Sequence, residues 1–105
     1  MTPTQRTLKK MRDEGWTAAV VERRNPHLRN VTHDLFGFID VIGIRDGETL
    51  AVQTTSASNV SARIKKIIAS EHLDAVRKAG WGIHVHGWRK SKSSGRWACR
   101  VEDLS

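Results

Sequence analysis

Asp40 lies within the run LFGFIDVIGIR, residues 35–45, which is otherwise rich in Ile, Phe and Val. An ionised carboxylate in such company is costly unless it is hydrogen-bonded, paired or bound to a metal ion. Asp46-Gly47 is a strong signal for a two-residue hairpin turn. Asp40 lies six residues before Asp46, and Gln53 six after Gly47, so the two face each other across an antiparallel ladder. Thr55 shares the face of Gln53 by the two-residue period of a strand. A carboxylate, an amide and a hydroxyl therefore gather where apolar residues would otherwise sit. Such a set suits a metal ion, and it equally suits a buried Asp–Gln hydrogen-bonded pair on a half-solvated face. The residues alone leave both open.

The flanking pattern predicts the elements that hold this set. Residues 4–14 (TQRTLKKMRDE) predict a helix capped by Thr4, with Leu8 and Met11 on one face and Gly15 as its stop. Residues 16–23 (WTAAVVER) predict a strand, and RNPHLRNVTHD, with its Asn-Pro, a loop. Residues 35–45 predict one long apolar strand and residues 48–55 its hairpin partner. Helix caps at 56–59 lead into a helix through residue 69 with Val60, Ile64, Ile67 and Ile68 on its apolar face. A second helix follows from Ser70 to a stop at Gly80, and its acidic start and basic end suit the helix dipole. Residues 81–88 and 96–102 predict two more strands around the turn RKSKSSG. The order is αβββααββ in one domain, residues 1–105. The helical crossover implies a right-handed parallel strand pair, hence an α/β fold with a mixed sheet flanked by helices.

Other candidates are placed by these elements. Glu22 ends the first strand, near the strand of Asp40. Asp34 lies ~20 Å from Asp40 along a straight strand and arrives only if Gly37 bends the chain, so Glu22 is preferred. Asn59, Arg63 and Lys66 form one stripe of the crossover helix, with Lys65 on its flank. This stripe is either a solvated basic face or a set of phosphate contacts. Arg89, Lys90 and Lys92 crowd a hairpin tip between Trp88 and Trp97 and suit phosphates, while the Trp rings suit base stacking or a core. His84-x-His86, with His27 or His33, is a weak zinc pattern. Cys99 reads as a small core residue.

Composition narrows the partners. The 105 residues carry 18 Lys and Arg against 11 Asp and Glu, a net charge of +7. The excess is spread, with 8 basic against 5 acidic residues over 1–45 and 10 against 6 over 46–105. A basic surface on the fold itself favours a polyanionic partner such as DNA. Hydrophobic content of 38% is too high for a disordered tail. No run approaches the ~18 residues of a membrane span, and no helix joins a basic face to large exposed aromatics, so no membrane partner is expected. The first 15 residues hold no apolar signal region, and one cysteine permits no internal disulfide, so an intracellular, cytoplasmic setting is expected.

An N-terminal helix, a strand bearing Asp40, a hairpin, a strand with polar residues two apart and a basic helix together resemble the PD-(D/E)XK nuclease superfamily. VVERRNPH, DLFGFIDVI and LAVQTTSASNVSARIKKI look most similar to its small phage-type, Holliday-junction-resolvase-like members, and the likeness runs from Thr4 to Trp97. The resemblance implies a restriction-endonuclease-like core and a Mg²⁺- or Mn²⁺-dependent endonuclease. Its substrate would be duplex or branched DNA such as a Holliday junction, cut by a homodimer. Asp40 matches the family's Asp, with Ile39 in place of its Pro. Gln53-Thr54-Thr55 stands where the family has acid-x-Lys. The implied metal ligands are Asp40, Gln53 and the Thr54 carbonyl, with Glu22 joining through water. Lys66 or Arg63 would replace the Lys that Thr55 lacks. Gln53 adds no negative charge and Thr55 no ammonium, which supports a second expectation, a DNA-binding module with catalysis weakened or lost.

Overall fold

The computed structural model describes residues 1–24, 27 and 32–105. A helix, α1 (Pro3–Asp13), precedes strands β1 (Thr17–Val20), β2 (Arg23–Arg24) and β3 (Thr32–His33). Hairpin strands β4 (Val41–Arg45) and β5 (Glu48–Ser56) follow. A 3₁₀ turn (Ala57–Asn59), helices α2 (Val60–Ile68) and α3 (Leu73–Lys78), and strands β6 (Gly82–Lys90) and β7 (Trp97–Asp103) complete the chain. Five strands form one mixed sheet in the order β1-β4-β5-β6-β7, with β5 and β6 parallel and the other neighbours antiparallel. The expected α/β architecture is present. β2 and β3 add a small antiparallel ribbon that joins Arg23, from the end of the expected first strand, to residues 24, 32 and 33 of the expected loop. The Asn-Pro at 25–26 of that loop lies outside the described residues.

β5 is buried from Leu50 to Thr55, as befits a central strand covered on both faces. Leu50 and Val52 face α1, packing with Met11, Ala18 and Val41. Ala51 faces the other way, into a core of Phe38, Ile39, Val60, Ile67, Ile83 and Val85 beneath α2 and α3. The hairpin forms as expected. Arg45 pairs with Glu48, and Asp46 and Gly47 take φ of +49° and +81°, the two left-handed residues of a two-residue turn.

Several boundaries differ from expectation. β1 ends at Val20, not Arg23, and β6 runs on to Lys90, so Arg89 and Lys90 pair with Ala98 and Trp97 instead of joining the turn. The helix cap is Thr2, not Thr4. Its hydroxyl accepts from the Gln5 N–H at 3.2 Å, Gln5 Oε1 accepts from the Thr2 N–H at 2.9 Å, and Pro3 opens the helix. The second crossover helix begins at Leu73, because Ser70 Oγ accepts the His72 N–H and holds a turn first. Ile68 ends α2 at 61% exposure and does not join the core.

The largest difference is in the run 35–45, which is not one strand. Leu35 and Ile39 exchange N–H···O bonds of 3.0 and 2.9 Å, and the Gly37 N–H donates to the Asp34 carbonyl. A tight turn therefore lies ahead of β4, with Gly37 at φ +82° and Phe36 at φ +54°. Phe38 and Ile39 are still buried, by folding inward from the turn instead of along a ladder. Left-handed Phe36 costs about 1–3 kcal/mol.

The crossover is seated closely on the sheet at Gly87, which pairs with Thr55. A Cβ there would overlap Val60 Cγ2 and stand 3.1 Å from the Ala57 backbone. At Gly43 the nearest obstacle is the flexible end of Met11. Gly87→Ala is expected to lower unfolding free energy by roughly 2–3 kcal/mol, and Gly43→Ala by less. Urea denaturation with an unchanged m-value is the check.

Candidate metal centre

The site forms where β4 begins beside the carboxyl end of β5. Val41 pairs with Val52, so the register carries Asp40 opposite Gln53, as the count from the turn predicts. The Asp40 N–H donates to the Val52 carbonyl, and the Val21 N–H donates to the Asp40 carbonyl, fixing the backbone on both sides. Asp40 Oδ2 accepts from Gln53 Nε2 at 2.6 Å, the Thr54 N–H at 2.8 Å and Thr54 Oγ1 at 3.2 Å. Thr54 Oγ1 in turn pairs with Thr4 Oγ1 at 2.8 Å. With its own proton given to Asp40, the Thr54 hydroxyl accepts from Thr4. The first turn of α1 thereby reaches the site through two hydroxyls.

Three carboxylates meet here. Glu22, Asp34 and Asp40 each place an oxygen within 4.8 Å of the others. Asp34 arrives because the turn at 35–39 folds the chain back, so the straight-strand separation does not apply. The preference for Glu22 over Asp34 is corrected: both are present. Gly37 was the available signal, and the continuous apolar run concealed it. Thr4 and Ser56, which also line the site, carried no sequence signal.

The electrostatics are those of crowded like charges. Burial raises the Asp40 pKa to about 7. The Thr54 N–H opposes this rise, while Asp34 and Glu22 add to it. Lys66 Nζ donates to Asp34 Oδ2 at 3.1 Å from α2 and offsets part of the negative charge.

The cavity is about 350 Å³ and is lined chiefly by polar groups. Asp40, Gln53, Thr54, Thr55, Glu22, Arg63 and Lys66 all reach it, as expected from the sequence. Asn59 and Lys65 are exposed and do not line it. Arg89, Lys90 and Lys92 are exposed too and lie outside it. Because Trp88 stands level with Ser56 on the parallel neighbour, those three residues run on past the same end of the sheet.

The donor set fits a hard divalent cation such as Mg²⁺ or Mn²⁺, which takes oxygen ligands. One independent observation agrees. Gln53 is 2% exposed, and its Oε1 is buried with no hydrogen-bond partner. A buried amide oxygen left unpaired is unfavourable, and a cation ligand is one way to satisfy it.

The other candidates have structural roles. His86 is buried against Thr7 Oγ1 at 3.2 Å, and burial, then His84 and Lys10, push its pKa down to about 4. His84 faces Asp103 at 3.7 Å, and no third ligand joins the two histidines among the described residues. Trp88 Nε1 donates to Thr7 Oγ1 at 2.9 Å, and the Arg6 guanidinium stacks on Trp97 at 3.7 Å. Cys99 lies half-buried on an edge strand, and burial raises its pKa to about 11. Among the described residues no helix is long and apolar enough to cross a membrane.

The fold and site together define an α/β protein with a buried acidic centre at the carboxyl end of its central strand. No protein-family model and no curated protein matches the chain.

The pH dependence of stability follows from Asp40. Its unfolded carboxyl titrates near 3.8 and its native one near 7, so the native state holds the proton more tightly. The resulting stability is fully present below about pH 4 and is lost as pH rises through 7. Asn at position 40 keeps an acceptor for Gln53 and Thr54 and offers its NH₂ to the facing acids. Relative to Asp40→Asn, the wild type is therefore expected to lose roughly 3–4 kcal/mol between pH 4 and pH 8 in metal-free buffer. Denaturation of both proteins across that range measures the difference.

Proposed function

We propose that the chain is a metal-dependent DNA endonuclease with a PD-(D/E)XK-like centre. The observation that carries this reading is the trio Glu22, Asp34 and Asp40 within 4.8 Å, set beside the unpartnered Gln53 Oε1. Asp40, Asp34 and Glu22 would hold a Mg²⁺ or Mn²⁺ ion with Gln53 Oε1 and the Thr54 carbonyl. The Thr54 carbonyl leaves the strand on the same edge as its N–H, which already faces Asp40. When bound, such an ion polarises a phosphodiester and lowers the pKa of water.

The chain's own residues supply the rest. Arg63 and Lys66 line the cavity from α2 and place two cations beside the carboxylates, where a phosphate would sit. Lys66 takes the part of the ammonium that Thr55 lacks. Asp40 is held to one position by its three donors, so a ligand oxygen is kept in place and not searched for. Beyond the cavity, Arg89, Lys90 and Lys92 extend a basic track for flanking phosphates. Paired cuts at a branched substrate require a second copy of the chain.

A second reading keeps the fold and DNA grip without efficient hydrolysis. It is favoured by one contact: Lys66, whose ammonium lines the cavity, is engaged by Asp34.

Cleavage assays with Mg²⁺ or Mn²⁺ on four-way junction, duplex and single-stranded DNA separate the two. Cutting by the wild type that disappears in Asp40→Ala and falls by about 10²-fold or more in Lys66→Met supports the enzyme. Binding without cutting under either ion supports the module, and neither activity at low salt rejects both. Arg89, Lys90 and Lys92 are tested by salt dependence. Joint Lys90→Ala and Lys92→Ala substitution is expected to reduce the slope of log K against log salt by about 2, read from titrations at several salt concentrations.

A further inference from the structure

The turn that carries Asp34 into the site also holds a partly exposed aromatic ring against His72 and Trp81. Phe36 is the third residue of the turn closed by the Gly37 N–H on the Asp34 carbonyl, and it stands at φ +54°. A positive φ at that position ordinarily selects glycine. Yet the residue is a Phe whose ring, 41% exposed, is left open to solvent on one side. Backbone strain at a large aromatic left open to solvent points to function.

The ring forms one wall of a cavity of about 170 Å³ whose other walls are His72, Ala75, Val76, Ala79 and Trp81. The Phe36 centroid lies 5.6 Å from that of His72 and 6.3 Å from that of Trp81, at 46° and 50°. The cavity is open to solvent and almost wholly apolar. A closed apolar cavity of about 150 Å³ takes one benzene-sized ring. Walls of this kind stack on a flat ring without reading its edges. Phe36 is also only two residues from Asp34, at most about 7 Å along the chain.

We propose that this cavity receives one unpaired nucleobase from the DNA strand whose neighbouring phosphate lies at the acidic centre. The inference rests on the nuclease reading and deepens it by naming the substrate class: DNA with an unstacked base at a bulge, branch or single-stranded end. Charge complementarity favours this occupant over an apolar side chain of a protein partner. Arg63 and Lys66 lie on the side of the turn where the acids stand, and they bring a phosphate to that end. A base attached to a neighbouring sugar would then have the two-residue span from Asp34 to Phe36 to cross. The shortage of polar groups in the walls makes the site tolerant of base identity.

The test uses the full chain, EDTA and low salt, so that no cutting intervenes. The probes are a fully paired duplex, the same duplex with one unpaired 2-aminopurine, and the same bulge lacking its base. The wild type is expected to bind the 2-aminopurine bulge about tenfold tighter than the paired duplex and to quench its fluorescence by stacking. The baseless bulge should bind like the paired duplex. Phe36→Gly, which suits the positive φ, should stay folded, keep the paired-duplex affinity and lose both the preference and the quenching. Phe36→Tyr should restore them. Paired-duplex binding with no preference for the bulge, or a preference that survives Phe36→Gly, overturns the base site and leaves the nuclease reading standing. An apolar partner side chain as the true occupant gives the same result. Failure to bind any of the three DNAs, in EDTA and again with Mg²⁺ restored, overturns both.

Discussion

The carboxylate of Asp40 is held at the first position before β4 by donors that all come from the partner strand. Gln53 and Thr54 supply three hydrogen bonds to one oxygen, and the hairpin register sets their positions. A carboxylate placed there only for stability should have a depressed pKa, because several donors favour its charged form. The pKa instead rises to about 7, because burial and the two facing acids outweigh the donors. The centre is thus locally unfavourable without a counter-charge. A fold that keeps such a cost usually keeps it for binding.

The remaining elements serve that constraint. β5 is covered on both faces, which removes water from the partners of Asp40. The parallel pairing of β5 with β6 requires a crossover, and the crossover begins at the carboxyl end of β5. In open α/β sheets this is the end where ligands bind. Gly87 lets the crossover lie close enough for α2 to present Arg63 and Lys66 to the cavity. On the opposite face, α1 reaches the same carboxylate through Thr4 and Thr54. Both helix layers therefore bear on one side chain.

Much of this was legible in the residues. The Asp46-Gly47 turn has a strict two-residue geometry, so the pairing of Asp40 with Gln53 followed from counting. The crossover followed from helical spacing after a strand with no hairpin signal. The turn at 35–39 was not legible, because an apolar run looks alike whether it is buried as a strand or as a compact turn. Only Gly37 marked it. Asp34 was undervalued for that reason, since its position depends on a local reversal and not on the period of a strand. Ile68 fitted the apolar stripe by spacing, but the helix ends beside solvent there. Side-chain partnerships such as Thr7 with His86 and Trp88 join residues about 80 apart and have no local signal.

The proposed chemistry differs from the PD-(D/E)XK pattern in where its charges reside. Gln53 stands in the place of an acid and contributes a neutral oxygen, which by itself weakens a cation site. Glu22 and Asp34 sit beside Asp40 and bring negative charge from the link between β1 and β2 and from the turn. On the proposed reading the part of the ammonium falls likewise to Lys66 on the helix, since Thr55 on the strand has none. Asp34 would then be shared between Lys66 and a cation held by the three acids, and Lys66 would be the ammonium available to a phosphate. On this reading the strand keeps the geometry of the centre, while the turn and the crossover helix carry its charge.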